Sequence, residues 1–162
     1  MQIEKFDSRL REAFISDETI ICKLWRQLFD YHAKLDDIFT PAHDGETHYR
    51  RWVRYHLEDK NSMTVVAEVN GSVVGYVMGQ IKTLPPVLEH RVIGTISDMV
   101  VEENYRGLAI GRKLYRNIEA RLLARNVTRI ELKTSSHNVL SNHFWENVCG
   151  YKEFVKVRYR NF

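Results

Sequence analysis

Two apolar, β-branched runs meet at Asn70-Gly71, and this dipeptide constrains the chain more than any other feature. Asn and Gly supply the two positive-φ residues that a two-residue type I′ turn needs. Met63 to Val69 and Ser72 to Ile81 therefore read as an antiparallel hairpin. Pro85-Pro86 ends the second strand and opens a loop, Val87 to Arg91. Another strand runs from about Val92 to Val101. The apolar period then changes. Ile110, Leu114, Ile118 and Leu122 recur every four residues and mark one face of a helix. A strand, a turn and a helix thus follow one another directly.

The flanking segments fill in a mixed order. Gln2 to Phe6 is compatible with a short first strand. Ile21, Leu24, Leu28, Tyr31 and Leu35 form one face of a helix, which Thr40 and Pro41 break. A second helix starts near Glu46 and buries Tyr49, Trp52, Val53 and His56. Thr128 to Thr134 is a further strand, with Ile130 and Leu132 on one face. A helix from about Asn138 to Val148 ends at Gly150, a plausible C′ residue. Tyr151 to Tyr159 gives a closing strand or strands. The order β-α-α-β-β-β-α-β-α-β is an α/β mixture with a hairpin and a later βαβ crossover. One domain over residues 1–162 suits this length.

Composition narrows the function classes. Hydrophobic residues at 44% and charged residues at 28% are ordinary for a globular chain and exclude disorder. A formal charge of +3 is too balanced to argue for nucleic acid or a membrane surface. No apolar run approaches the ~18 residues of a membrane span. Met1 to Arg11 mixes charges of both signs and shows no signal-peptide pattern. Cys22 and Cys149 form neither a disulfide framework nor a zinc motif. A cytoplasmic setting follows by default. His43, Asp44, Glu46 and His48 match no established metal spacing and read as a polar loop, so no metal is expected.

The chemistry concentrates between Ile96 and Gly111. The turn after the strand holds Arg106, Gly107 and Gly111. The first N–H groups of a helix lack intrahelical partners and sit at the positive end of its dipole, so they receive phosphate or pyrophosphate. Glycine lets the backbone approach such a group without a Cβ in the way. Arg106, Arg112, Lys113, Arg116, Arg121, Arg125 and Arg129 surround the segment, against the single acid Glu119. A solvated basic helix face would look the same. Neither a P-loop nor a Rossmann glycine pattern occurs.

Val100-Val101 followed by Tyr105-Arg106-Gly107-Leu108-Ala109-Ile110-Gly111 resembles the acetyl-CoA signature of the GNAT N-acetyltransferase superfamily. That signature is Gln or Arg, two variable residues, Gly, one variable residue, then Gly or Ala. Asn138, Ser141, Phe144-Trp145 and Gly150-Tyr151 resemble the family's second run, and the element order agrees from roughly Ile3 onward. The resemblance implies a central mixed, mostly antiparallel sheet with a splayed strand pair, flanked by about four helices. It implies N-acetyl transfer from acetyl-CoA to an amine of a small molecule or protein. Met99, Val100 and Val101 would bond the pantetheine arm. Arg106, Gly107, Leu108, Ala109, Ile110 and Gly111 would hold the pyrophosphate, and Asn138 would bond the coenzyme from the far side of the splay. The amine would enter between the N-terminal helices and the Pro85-Pro86 loop. Family members commonly pair, so a homodimer is implied by analogy.

Two residues depart from the family pattern. Ala109 stands where glycine is usual, which is tolerable at negative φ and weakens the site at positive φ. Trp145 stands where many members place a tyrosine that protonates the leaving thiolate, and indole cannot do so. A GNAT-fold module that senses acyl-CoA without turnover is therefore the rival reading. A basic-patch nucleic-acid binder is the third, and it predicts steep salt dependence.

For the base that takes the ammonium proton, Asp98 is the first candidate, with Ser97 beside it to hold a water. Glu102 and Glu103 read as solvated strand-end charges. His137 and His143 lie near the coenzyme-side helix, but no acid is assigned. Trp25, Phe29, Tyr49 and Trp52 fit either a core or an acceptor pocket. Asp36, Asp37, Asp44 and Glu46 put acids near the acceptor entrance, where solvated loop charges are the plainer reading.

Overall fold

The computed structural model describes residues 8–160. Five strands form one sheet in the order β1-β2-β3-β4-β5. They are β1 (Arg9–Glu12), β2 (Ser62–Val69), β3 (Ser72–Thr83), β4 (Val92–Val101) and β5 (Ile130–Leu132). Neighbours β1 to β4 pair antiparallel, and β4 pairs parallel with β5. Four helices flank the sheet: α1 (Glu18–Ala33), α2 (Gly45–Glu58), α3 (Ile110–Leu123) and α4 (Val139–His143).

The β2–β3 hairpin turns as its dipeptide dictates. Asn70 and Gly71 both have positive φ, at 51° and 77°. The two faces of the sheet carry separate cores. On one face α3 buries Ile110, Leu114, Ile118 and Leu122 against Val65, Val77 and Ile96. Each such side chain contributes about 1.5–3 kcal/mol by leaving water. That helix lies close because Gly75 and Gly79 present no side chain to it. A Cβ at Gly79 would fall 2.9 Å from Ile118. On the other face α1 and α2 pack Ile21, Leu24 and Val53 against Val66, Tyr76, Met78 and Val100.

Ion pairs fix the helices over the second face. Buried Glu18, in the first turn of α1, accepts from Arg50 of α2 at 2.7 Å and also pairs with Arg54. Arg11 of β1 bridges Asp17 at 2.7 Å and Glu68 at 2.8 Å, clamping the entry to α1 onto the sheet. Among the described residues, no helix is long and apolar enough to cross a membrane.

Several expectations change. The proposed strand Gln2 to Phe6 lies outside the described residues, and the strand observed nearby is Arg9–Glu12. Leu35 falls beyond the end of α1. The strand Thr128 to Thr134 shortens to Ile130–Leu132. The helix expected over Asn138 to Val148 is α4 followed by a π-helical turn, Phe144–Val148. The closing strand over Tyr151 to Tyr159 does not form. Phe154, Val155, Val157 and Tyr159 are exposed instead. A strand needs a partner backbone as well as an alternating pattern, and β5 is only three residues long.

Candidate active site

The site begins with an irregularity in β4. Met78 of β3 faces Asp98, but the next residue, Gly79, faces Ile96. Ser97 is therefore an extra, bulged residue, and its hydroxyl lies 3.5 Å from the Met78 carbonyl. A bulge inverts the alternation of side chains beyond it. Before it, Gly94 and Ile96 face α3. After it, Val100 joins the α1–α2 core, while Met99 and Val101 face α3. Asp98 is thereby delivered to the α1–α2 side, where it meets Tyr49.

On its other edge β4 parts from β5. The parallel pairing runs through Gly94–Ile130, Thr95–Glu131 and Ile96–Leu132, and ends there. Beyond that point, among the described residues, Met99, Val100 and Val101 have no strand partner on the β5 side.

The turn from β4 to α3 closes this end. Gly107 has φ 77° and Ala109 has φ 59°. Ala109 is the N-cap of α3 and adopts the left-handed conformation without being glycine. That conformation costs an alanine about 1–2 kcal/mol, strain of the kind stored at ligand sites. The positive-φ branch of the sequence expectation is thus the one realised, the branch on which the expected phosphate site is weakened rather than untouched. The amides that follow have no intrahelical acceptors. Arg106 donates from Nε to the Val101 carbonyl at 3.1 Å, so it braces the turn against the strand end. Arg112 and Arg116 are exposed on the first turns of α3. Other members of the basic run have local partners: Lys113 with Ser8, Arg121 with Asn117, and Arg129 with Glu131.

Asp98 sits in a chain of hydroxyls. Tyr49 Oη lies 2.8 Å from Asp98 Oδ2 and 3.1 Å from Tyr76 Oη. A carboxylate only accepts, so Tyr49 donates to Asp98 and Tyr76 donates to Tyr49. Burial pushes the Asp98 carboxyl above its ordinary value, and the Tyr49 bond opposes that shift. Burial also raises Tyr49, aided by the neighbouring Tyr76 and Asp98, so its phenol stays protonated. A carboxylate whose proton affinity is raised beside an opening is suited to accept a proton.

Beside Asp98 lies a shallow groove of about 420 Å³, wide open to solvent and lined by Trp25, Phe29, Tyr49 and Trp52, with His48 also among its lining. Trp25 and Tyr49 stack at 4.4 Å, and Tyr49 and Trp52 lie 5.4 Å apart. These aromatics are at once core and wall. The Pro85-Pro86 loop contributes none of the lining.

The remaining candidates divide. Asn138 is buried; its Oδ1 accepts from Ser141 N at 3.0 Å and so caps α4. Its Nδ2 donates to His32 Nε2 at 3.0 Å, a link from the start of α4 to α1 that the sequence did not suggest. Burial lowers His32, which favours the neutral ring that can accept this bond. Trp145 is buried edge-on to Tyr115 and Tyr151, so it serves the α3-side core. His137 and His143 are exposed. Asp36 accepts from Ile38 N, Asp44 pairs with His48, and Glu46 pairs with Arg50. Among the described residues, no group of three or more His, Cys, Asp or Glu could hold a metal.

The model of the acetyltransferase (GNAT) family matches residues 25–151. Solved structures share the fold. A point mutant of the BH1408 protein from Bacillus halodurans superposes with a TM-score of 0.85 at 23% identity, covering 95% of this chain and 99% of that one. A predicted acetyltransferase from Clostridium acetobutylicum, solved with acetyl-CoA, gives 0.78 at 20% identity, covering 96% of each chain. The aminoglycoside 6′-N-acetyltransferase AAC(6′)-IG from Acinetobacter haemolyticus gives 0.74 at 16% identity, covering 95% and 97%. With the matched segment running from the aromatic wall of α1 through the bulged strand and turn to Tyr151, the chain belongs to the acetyltransferase (GNAT) family.

Proposed function

We propose that this chain is an N-acetyltransferase that moves the acetyl group of acetyl-CoA to a primary amine of a small molecule or protein. The observation that carries this reading is the end of β4, where the strand leaves β5 beyond Ile96 with Asp98 on one face and the Arg106–Gly111 turn beyond it. The backbone of Met99, Val100 and Val101 would hold the pantetheine arm. The amides of Gly107, Leu108, Ala109, Ile110 and Gly111 would hold the pyrophosphate, with Arg112 and Arg116 nearby. Asn138 would bond the arm through its second amide hydrogen. A cytoplasmic setting, with Cys22 and Cys149 as free thiols, accords with this reading.

The chemistry balances with few groups. Asp98 takes a proton from the ammonium, directly or through a water held at Ser97. The neutral amine attacks the thioester carbonyl, polarised by a backbone N–H that β4 does not give to β3, such as that of Met99. The new C–N bond forms as the C–S bond breaks. The second amine proton is lost, and the thiolate is protonated from solvent.

Amine-dependent release of free thiol from acetyl-CoA tests the proposal. Release that falls at least about 100-fold in Asp98→Asn supports it. One observation favours the rival, a module that binds acyl-CoA without turnover: Trp145 lies in the core, leaving no phenol at the usual position. Saturable coenzyme binding with no thiol release across a broad amine panel would establish that module instead.

A further inference from the structure

The groove beside Asp98 has a composition that selects among amines. We infer that it takes a small primary monoamine, one ammonium on a flat apolar body, in preference to a polyamine or an aminoglycoside. The inference rests on the transferase reading for its chemistry, but not for its binding.

Four aromatic side chains, Trp25, Phe29, Tyr49 and Trp52, supply the walls, and Asp98 is the one carboxylate among the lining residues. Aromatic faces attract a cation and also cover an apolar ring. Tyr49 occupies Asp98 Oδ2 at 2.8 Å, and Oδ1 is the remaining acceptor for a ligand N–H. A single charged acceptor set among rings matches a single ammonium on an apolar body.

A polycation would need more acids than the site offers. The nearest candidates are already paired, Asp44 with His48 at 2.8 Å and Glu46 with Arg50 at 3.2 Å. Extra ammonium groups would therefore gain no carboxylate partner among the lining residues, and a polar sugar body would gain nothing from the aromatic faces.

The three tryptophans give the test its signal. Trp25 and Trp52 line the groove, while Trp145 lies across the sheet in the α3 core. Tryptophan fluorescence of the CoA-saturated full chain would be titrated with 2-phenylethylamine, 2-phenylethanol, spermidine and a capped lysine tripeptide. Acetylation would be followed in parallel as free thiol. The expected result is saturable quenching by 2-phenylethylamine, with the neutral alcohol about tenfold weaker or worse. Asp98→Asn should abolish that preference, and Trp52→Leu should weaken the amine by about tenfold. Quenching and acetylation by 2-phenylethylamine ahead of the other amines supports the inference. Thiol release with spermidine or the peptide preferred overturns it and leaves the transferase reading intact. Selective binding of 2-phenylethylamine without thiol release keeps the inference and sinks the transferase reading. Equal binding of amine and alcohol overturns the role given to Asp98.

Discussion

Tyr49 donates to Asp98 across 2.8 Å and thereby joins α2 to the bulged end of β4. The bond has a direct consequence for pH. Asp98 must be ionised to accept a proton, so kcat/KM should fall as pH falls through its pKa. Burial sets that pKa above the ordinary 3.8, and the Tyr49 bond holds it down. Tyr49→Phe removes the lowering contribution. The acid limb of the profile should therefore move to higher pH, in the same direction for every amine tested.

Ala109 holds a left-handed conformation at φ 59° where glycine would do so freely. Ala109→Gly relieves about 1–2 kcal/mol of strain and gives back roughly 0.5–1 kcal/mol in unfolded-chain entropy. A net gain between about 0 and 1.5 kcal/mol is expected in urea unfolding. Acetyl-CoA affinity, measured by calorimetry, should stay equal or rise.

Gly75 lets β3 approach β4 closely. A Cβ there would fall 2.7 Å from the Val100 carbonyl oxygen. Gly75→Ala should therefore cost about 1–3 kcal/mol in chemical unfolding. Because the displaced atoms belong to Val100, coenzyme affinity should fall as well.

His56 is buried beneath Trp52 at 5.0 Å, and burial lowers its imidazole below the ordinary 6.5. The unfolded chain then binds more protons than the folded chain as pH drops below that value. Stability should be full above about pH 6.5 and decline as pH falls toward the folded value. His56→Phe should flatten this slope in part, His32 supplying a share in the same direction. Urea midpoints across the range check it.

Much of the scaffold was legible because its signals are local. Asn70-Gly71 fixed the hairpin, and the four-residue period of Ile110 to Leu122 fixed α3. The Ser97 bulge left no trace in composition, since it exists only relative to the register of β3. Without it Asp98 would face α3. The Tyr49–Asp98 and Asn138–His32 contacts span distant segments that only the fold brings together. The sign of φ at Ala109 was likewise open until the turn was placed. The tail misled for the opposite reason. Val155, Val157 and Tyr159 alternate with Lys156 and Arg158 as a strand would, yet among the described residues no strand forms over them.

The central claim is that the turn between Tyr105 and Ile110 grips the diphosphate of acetyl-CoA. Calorimetric titration of acetyl-CoA into the wild-type chain and Gly107→Val tests it directly, since Gly107 sits at φ 77° with open space around it. The account predicts saturable one-to-one binding by the wild type and a loss of at least about tenfold, ~1.4 kcal/mol, in the variant. No binding by the wild type, or equal affinity in a folded variant, would contradict it.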